Sequence, residues 1–201
     1  MSLVQANNIQ PASGQALTIK DEGGNASITI QTDGDLTLAE NAYLGSGKGI
    51  YFDGQTGTAN QLSDYETGTW TPTLIGDNGG EIASYDSNGQ KGAYTKIGRQ
   101  VTVHLYIKVT SNSGPSGTFA VGNLPFTVAD TVASTSFEAS GLVGFFENMS
   151  ALTSGVTLNA VHSGTKALMY HVAGTQASGM AGLTAVASNF SMRASLTYNT
   201  T

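Results

Sequence analysis

Apolar side chains recur at every second position through most of this chain, and this alternation is the feature that most restricts its fold. The clearest example is the segment 99–109, "RQVTVHLYIKV". Its alternate apolar residues are Val101, Val103, Leu105, Ile107 and Val109. A period of two places such residues on one face of a β-strand. Since no segment shows a convincing 3.6-residue period with helix caps, the sequence predicts an all-β protein.

Further strands are predicted in the C-terminal two thirds of the chain, where glycine, serine and asparagine separate alternating segments. These segments are 117–126, which is a strand ending in a turn, 134–146, 154–162, 165–172 and 189–198. In the last of them the alternate residues are Phe190, Met192, Ala194, Leu196 and Tyr198. Several strands at regular spacing are typical of a β-sandwich or jelly-roll. We therefore expect residues 64–201 to form a β-sandwich or jelly-roll head domain.

Residues 16–54 carry shorter strands, which Gly-Gly and Asp-Gly turns separate. Each strand offers one apolar pair, and the pairs are Leu17/Ile19, Ile28/Ile30, Leu36/Leu38 and Ile50/Phe52. About 60 residues of this kind bury too little surface to fold alone, because the strands have no second layer.

A homotrimeric shaft over residues 16–63 solves this burial problem, because three copies wrapped around one axis turn their apolar faces inward. The predicted trimer core consists of Leu17, Ile19, Ile28, Ile30, Leu36 and Leu38. The alternative is a small sheet packed against the C-terminal half of the same chain. Residues 1–15 would then form an N-terminal attachment segment.

Composition excludes several classes of partner. Only 11% of the 201 residues are charged, against a usual share of about 25%, and the net charge is −6. An acidic chain without a Lys/Arg cluster repels phosphates, so we expect no nucleic-acid partner. The absence of cysteine excludes disulfides and thiolate metal sites. No apolar run reaches the ~20 residues of a membrane helix, and residues 1–15 lack the features of a signal peptide, so we expect no membrane insertion.

The motifs of common enzymes are also missing from the sequence. The segment 45–49, "GSGKG", has Ala42 where a P-loop has its first glycine, and a strand-like segment follows it. The histidines His104, His162 and His171 lack metal-ligand spacing, although a metal shared on a trimer axis is a weaker alternative. We therefore expect a protein that is not an enzyme and holds neither a cofactor nor a metal. The sequence neither supports nor excludes a pair of facing carboxylates of the kind that hydrolyses glycosidic bonds.

The single tryptophan, Trp70, lies in "DYETGTWTPTL" (64–74), where the short strands give way to longer ones. Pro72 favours an extended Thr71, and Gly68 allows a bend. The large indole can anchor the first strand of the head in its core. We therefore predict that Trp70 is mostly buried and acts as a structural pin at the shaft–head boundary.

Three segments carry a resemblance to a known family. They are "DYETGTWTPTL" (64–74), "GAYTKIGRQVTVHLYIKV" (92–109) and "GNLPF" (122–126). Together they resemble the C-terminal head domain of tailed-bacteriophage fibre-like virion proteins. The preceding "ALTIKDEGGNASITIQTDGDLTL" (16–38) is similar to the short β repeats that such proteins place before the head. The resemblance covers about residues 16–130.

The resemblance implies a homotrimer on a phage virion, synthesised in the host cytoplasm, bound to other virion proteins and without catalysis. One form is a short tail fibre whose N-terminus docks on the tail or baseplate and whose head contacts a host cell-surface glycan. A second form is a capsid decoration or head-fibre protein on the major capsid protein. A glycan-cleaving spike is less expected, because 201 residues leave little room for a large β-helix. Aromatic residues near Tyr85, Tyr94 and Phe145/Phe146 are candidates for recognition, with core packing the more expected role for each.

Overall fold

The computed structural model describes residues 12–20, 22–31, 35–39, 42, 49–51, 61–62, 64–131, 137–149, 154–172 and 180–201. Every regular element in these ranges is a β-strand, which confirms the predicted all-β class. The chain divides into two compact units, 1–48 and 49–201. Most of the expected attachment segment (1–11), Phe52 and the segment 43–48 with most of "GSGKG" lie outside the described residues. The expected domain boundaries at residues 15 and 63 stay predictions.

The first unit contains a three-stranded antiparallel sheet. Its strands are β1 (Leu17–Lys20), β2 (Ala26–Ile30) and β3 (Leu36–Leu38), in the order β1-β2-β3. All three strands were expected from the alternation, because each apolar pair occupies one strand. The β1–β2 turn contains Gly24 at φ 80°, a conformation that glycine adopts without steric cost.

The second unit contains a two-stranded sheet and a ten-stranded sheet. The small sheet pairs β4 (Ile50–Tyr51) with β5 (Gln61–Leu62). The strands of the large sheet are β6 (Tyr65–Trp70), β7 (Thr73–Gly76), β8 (Tyr85–Ile97), β9 (Gln100–Val109), β10 (Phe119–Gly122), β11 (Phe137–Glu147), β12 (Ser154–Val161), β13 (Ala167–Val172), β14 (Met180–Gly182) and β15 (Ser191–Asn199). Their order is β6-β8-β9-β15-β11-β12-β13-β10-β7, with β14 paired to β13, and all the pairings are antiparallel.

The large sheet rolls over on itself. Its outermost strands in the pairing order, β6 and β7, are separated in sequence by only Thr71 and Pro72. Three Cα–Cα steps of about 3.8 Å span at most roughly 11 Å, so the two edges of the sheet must lie close together. The predicted head is therefore one continuous sheet, curled until its first and last strands approach.

The core lies on the inner face of this curled sheet. The alternating residues of β9 predicted to share a face are all buried, as are those predicted for β15. Every residue of β10 is also buried. The opposite side of β9, which consists of Thr102, His104, Tyr106 and Lys108, is exposed or half-buried. Local alternation thus fixes which face of each strand packs inward, and the polar face remains available to solvent or a partner.

Candidate interaction surfaces

The six residues expected in a trimer core lie in two cross-strand rows on one face of the N-terminal sheet. The first row consists of Leu17, Ile30 and Leu36. The second row consists of Ile19, Ile28 and Leu38. Residues directly opposite each other on paired strands point to the same face, so the register gathers all six together. We call these six residues the N-terminal apolar face.

The N-terminal apolar face is largely uncovered in the single chain. Leu36 is 62% exposed, Ile19 54%, Ile30 43% and Leu38 38%, while Leu17 and Ile28 are half-buried. The other face of the same sheet carries a row of threonines, Thr18, Thr29 and Thr37. A contiguous exposed apolar patch backed by a polar face is typical of an interaction surface. Whether its partner is another copy of the chain stays a prediction at this point.

The three segments that carry the family resemblance meet at one end of the large sheet. Lys96 of β8 forms an ion pair with Asp64, and the Tyr94 hydroxyl donates a hydrogen bond to the Glu66 carboxylate. That bond to Glu66 raises the pKa of Tyr94 above 10.0. The Tyr94 ring lies against Gly68, where an added Cβ would be 2.6 Å from the hydroxyl oxygen. The first motif is thus attached to the second along the β6–β8 pair.

Phe126, at the end of the third motif, joins this cluster. Its ring meets Tyr94 edge to face, with centroids 5.2 Å apart, and the Lys96 ammonium lies 5.6 Å from its centroid. The Tyr198 hydroxyl donates to the Phe126 carbonyl at 3.1 Å and accepts from its amide at 3.3 Å. Burial raises the pKa of Tyr198 to about 12. Asn123 completes the connection by donating to the Thr71 carbonyl at 2.8 Å.

Trp70 is half-buried and packs against the hydrophobic core of the head. Its indole lies over Gly92 of the paired strand, where an added Cβ would be 2.3 Å from Nε1. The Nε1 atom is buried and has no hydrogen-bond partner among the described residues. The contacts of Trp70 are therefore those of a packed side chain, and its role as a boundary marker stays a prediction.

The motif residues thus hold the curled sheet together. The Gln90 side chain donates to the Pro72 carbonyl at 3.0 Å, and the Tyr85 hydroxyl accepts from the Leu74 amide at 2.8 Å. The first contact joins β8 to the short link between β6 and β7, and the second joins β8 to β7 itself. Tyr85 and Tyr94, which were candidates for recognition, are half-buried and engaged in these contacts. Phe145 and Phe146 are instead at the surface, 37% and 36% exposed.

The described residues contain no group of three or more histidines and acids able to hold a metal ion. His104 is exposed on the outer side of β9, and His162 Nδ1 lies 3.6 Å from an Asp130 oxygen. His171 is half-buried, and its Nδ1 has no hydrogen-bond partner within the described ranges. No helix in the described part of the chain is long and apolar enough to cross a membrane.

A second surface feature lies on the outer face of the head. Arg193 of β15 is paired on one side with Tyr106 and on the other with Phe145. Its guanidinium carbon is 5.2 Å from the Tyr106 ring centroid and 5.1 Å from that of Phe145. A register shift between Val143 and Phe145 inserts one extra residue, which leaves Val143 buried and turns Phe145 outward. The sequence did not single out Arg193, because these pairings join distant parts of the chain.

No protein-family model matches this chain, and no curated protein matches it. Among solved structures, part of the chain is similar to the crystal structure of the Dettilon tailspike protein. The match has 19% identity and a TM-score of 0.48, and it covers 67% of this chain and 24% of that one. The similarity thus spans about a quarter of the tailspike chain.

Proposed function

We propose that this protein is a non-enzymatic structural protein of a bacteriophage virion, a homotrimeric fibre-like protein that docks by its N-terminal part. The observation that carries the proposal is the N-terminal apolar face. Its six side chains are aliphatic and uncharged, and four of them are more than a third exposed. A partner of matching chemistry would cover it, and a second copy of the chain presents the same surface.

Burial of this face favours assembly. A Leu or Ile side chain that passes from exposed to buried gains about 1.5–3 kcal/mol. Three copies around one axis would turn all their apolar rows inward and leave the threonine rows in solvent. Closed symmetry of this kind uses identical surfaces on every subunit and ends at a defined size.

The assignment to a virion is supported by the three motifs and by where they lie. Their residues form one connected cluster of an ion pair, hydrogen bonds and aromatic contacts. The cluster links β6 and β8 to the segment that follows β10. In this proposal the motifs stabilise a domain whose loops and outer faces contact the host surface. They do not supply catalytic groups.

The assembly is tested by sedimentation equilibrium of the full chain at micromolar concentration. We expect a mass three times the 20.6 kDa of one chain. A stable monomer would overturn the trimer, and a dimer would assign the apolar face to a two-fold contact.

The location is tested by counting copies per virion, using quantitative mass spectrometry against the major capsid protein. We expect at most a few dozen copies, as for a short tail fibre. Hundreds of copies would instead assign the protein to the capsid surface as a decoration protein, and complete absence from purified virions would contradict the whole proposal.

A further inference from the structure

The side chains of two cations of the head, Lys91 and Arg193, form neither an ion pair nor a hydrogen bond with any described residue. Among its described residues, Lys96, Lys108 and Lys166 form ion pairs with aspartates, and Arg99 donates to the Thr200 carbonyl. Arg193 and Lys91 form no such ion pair with any described residue. This is unusual in a chain of net charge −6, because acids outnumber bases by 14 to 8.

Arg193 and Lys91 belong to the same row across the outer face of the head. The row runs Lys91, Tyr106, Arg193 and Phe145 through three pairs of neighbouring strands. Lys91 is two strands from Arg193, which is about 10 Å across a sheet. The rings on both sides of Arg193 limit the motion of its guanidinium, so a ligand that binds there orders it at a smaller entropic cost.

Shallow depressions adjoin this row. One, of about 380 Å³, is lined by His104, Leu142, Gly144, Arg193, Ala194 and Ser195. Another, of about 280 Å³, is lined by Lys91, Gly92, Ala93, His104, Leu105 and Tyr106. His104 lines both depressions, and each also has a glycine and an alanine in its lining. The two together make an open groove across β8, β9, β15 and β11.

The groove combines three kinds of chemistry. Arg193 offers a planar fork of donors that matches a carboxylate. Ser195 and His104 offer polar atoms for hydroxyl groups, and Leu142, which is 70% exposed, offers an apolar wall. A sugar ring presents hydroxyls at its edge and C–H groups on its face, and an acidic sugar adds a carboxylate.

The geometry points to this groove as a binding site for an acidic oligosaccharide, with a sugar carboxylate on Arg193 and a second on Lys91. This inference rests on the proposed function, since it names the class of host-surface partner that the head contacts. A nucleic acid would need many more cations than these two. A protein partner would be expected to bury an apolar, charge-depleted centre, whereas this groove is lined by Arg193, Lys91 and His104.

The test is isothermal titration of the full-length chain at low salt with two acidic probes, a galacturonic acid hexamer and a sialic acid oligomer. The methyl-esterified galacturonate hexamer is the neutral control. We expect at least one acidic probe to bind, its affinity to fall with added salt, and the ester to bind at least tenfold more weakly. Equal binding of the ester, or no binding of either acidic probe, would overturn the inference.

Variants assign the binding to Arg193. Arg193→Gln should weaken binding at least tenfold, and Arg193→Lys, which keeps the charge without the planar fork, should be intermediate. Lys20→Gln, an exposed residue of the N-terminal sheet, changes the net charge equally and should bind like the wild type. Unchanged binding by Arg193→Gln would overturn the assignment. Hexaglutamate that binds as tightly as the sugar would assign the groove to an acidic protein segment instead.

Sedimentation of the same samples separates this inference from the proposed function. A wild-type chain that is trimeric but binds neither acidic probe counts against the groove alone. A monomer that still binds the acidic probe counts against the trimeric assembly and supports the groove.

Discussion

At the scale of single residues, small side chains decide how the large ones of the head pack. Trp70 and Tyr94 each lie over a glycine of the neighbouring strand, Gly92 and Gly68. In both places the glycine leaves room that any Cβ would fill. Trp70 stood out in the sequence because it is the only tryptophan. The structure shows that its indole packs over Gly92 of the neighbouring strand.

Gly92→Ala should therefore destabilise the head. The added Cβ would lie 2.3 Å from Trp70 Nε1, so the indole must move out of its site. Overpacking of this kind costs about 1–3 kcal/mol of unfolding free energy. Urea denaturation measures the change. Gly144→Ala is the matched control, because nothing lies within 4 Å of its Cβ position and we expect almost no effect. Equal stability of the two variants would contradict this packing account.

The tyrosines of the head make its stability depend on alkaline pH. Burial raises the pKa of Tyr198 and of Tyr85 from 10.0 to about 12. The folded protein therefore holds these protons more tightly than the unfolded chain. Their contribution to stability is present in full below pH 10 and is lost as the pH rises through 12.

Urea midpoints measured between pH 9 and 12 should fall across this range. Tyr198→Phe should be less stable at neutral pH, because it loses the bonds to Phe126, and should show a shallower alkaline decline. Tyr65→Phe, at an exposed position, controls for the loss of a phenol. An alkaline decline in Tyr198→Phe as steep as in the wild type would exclude Tyr198 as a cause.

At the scale of elements, the N-terminal sheet is defined by its register. Pairing of Ile28 with Ile19 and Leu38, and of Ile30 with Leu17 and Leu36, gathers the apolar side chains on one face. A shift by one residue would place threonine beside leucine and divide the face between both sides. The sheet is therefore suited to a partner on one side only.

Leu36→Asn should weaken self-association, because it places an amide in the N-terminal apolar face at its most exposed residue. Thr37→Asn is the control, because it introduces the same amide at the next residue, on the opposite face of the sheet. This variant should assemble like the wild type. Sedimentation velocity across a range of concentrations distinguishes them. We expect the dissociation midpoint of Leu36→Asn to rise at least tenfold. If both variants assemble equally, the apolar face is not the interface.

At the scale of the whole molecule, the proposed assembly links folding to concentration. If each folded chain is stabilised by contact with other copies, a higher protein concentration favours the folded, assembled form. The Tm of the wild type should therefore rise by several degrees when the protein concentration is raised a hundredfold, as scanning calorimetry would show. Leu36→Asn should weaken this dependence. A wild-type Tm that is independent of concentration would indicate that the described units fold without association.

Much of the fold was predictable from the sequence because its signals are local. Alternation in 99–109 and 189–198 predicted β9 and β15 and their buried faces. The segment 117–126 was predicted as a strand that ends in a turn, and the strand ends at Gly122, after which Asn123 adopts a positive φ of 60°. The strand β8 has no apolar alternation to reveal its length of 13 residues, since Gly89 and Gly92 occupy inward positions.

The sequence by itself determined that the chain is built from β-strands, which face of β9 and β15 packs inward, and that the two apolar residues of each short strand in the first unit share a face of that strand. Side-chain alternation is a property of neighbouring residues, so these features need no knowledge of the fold. Only the tertiary structure decided the strand order, the meeting of the three motifs around Tyr94 and Phe126, and the position of Arg193 between two rings. Each of these depends on pairing between strands far apart in the sequence, and one inserted residue before Phe145 was enough to turn its ring outward.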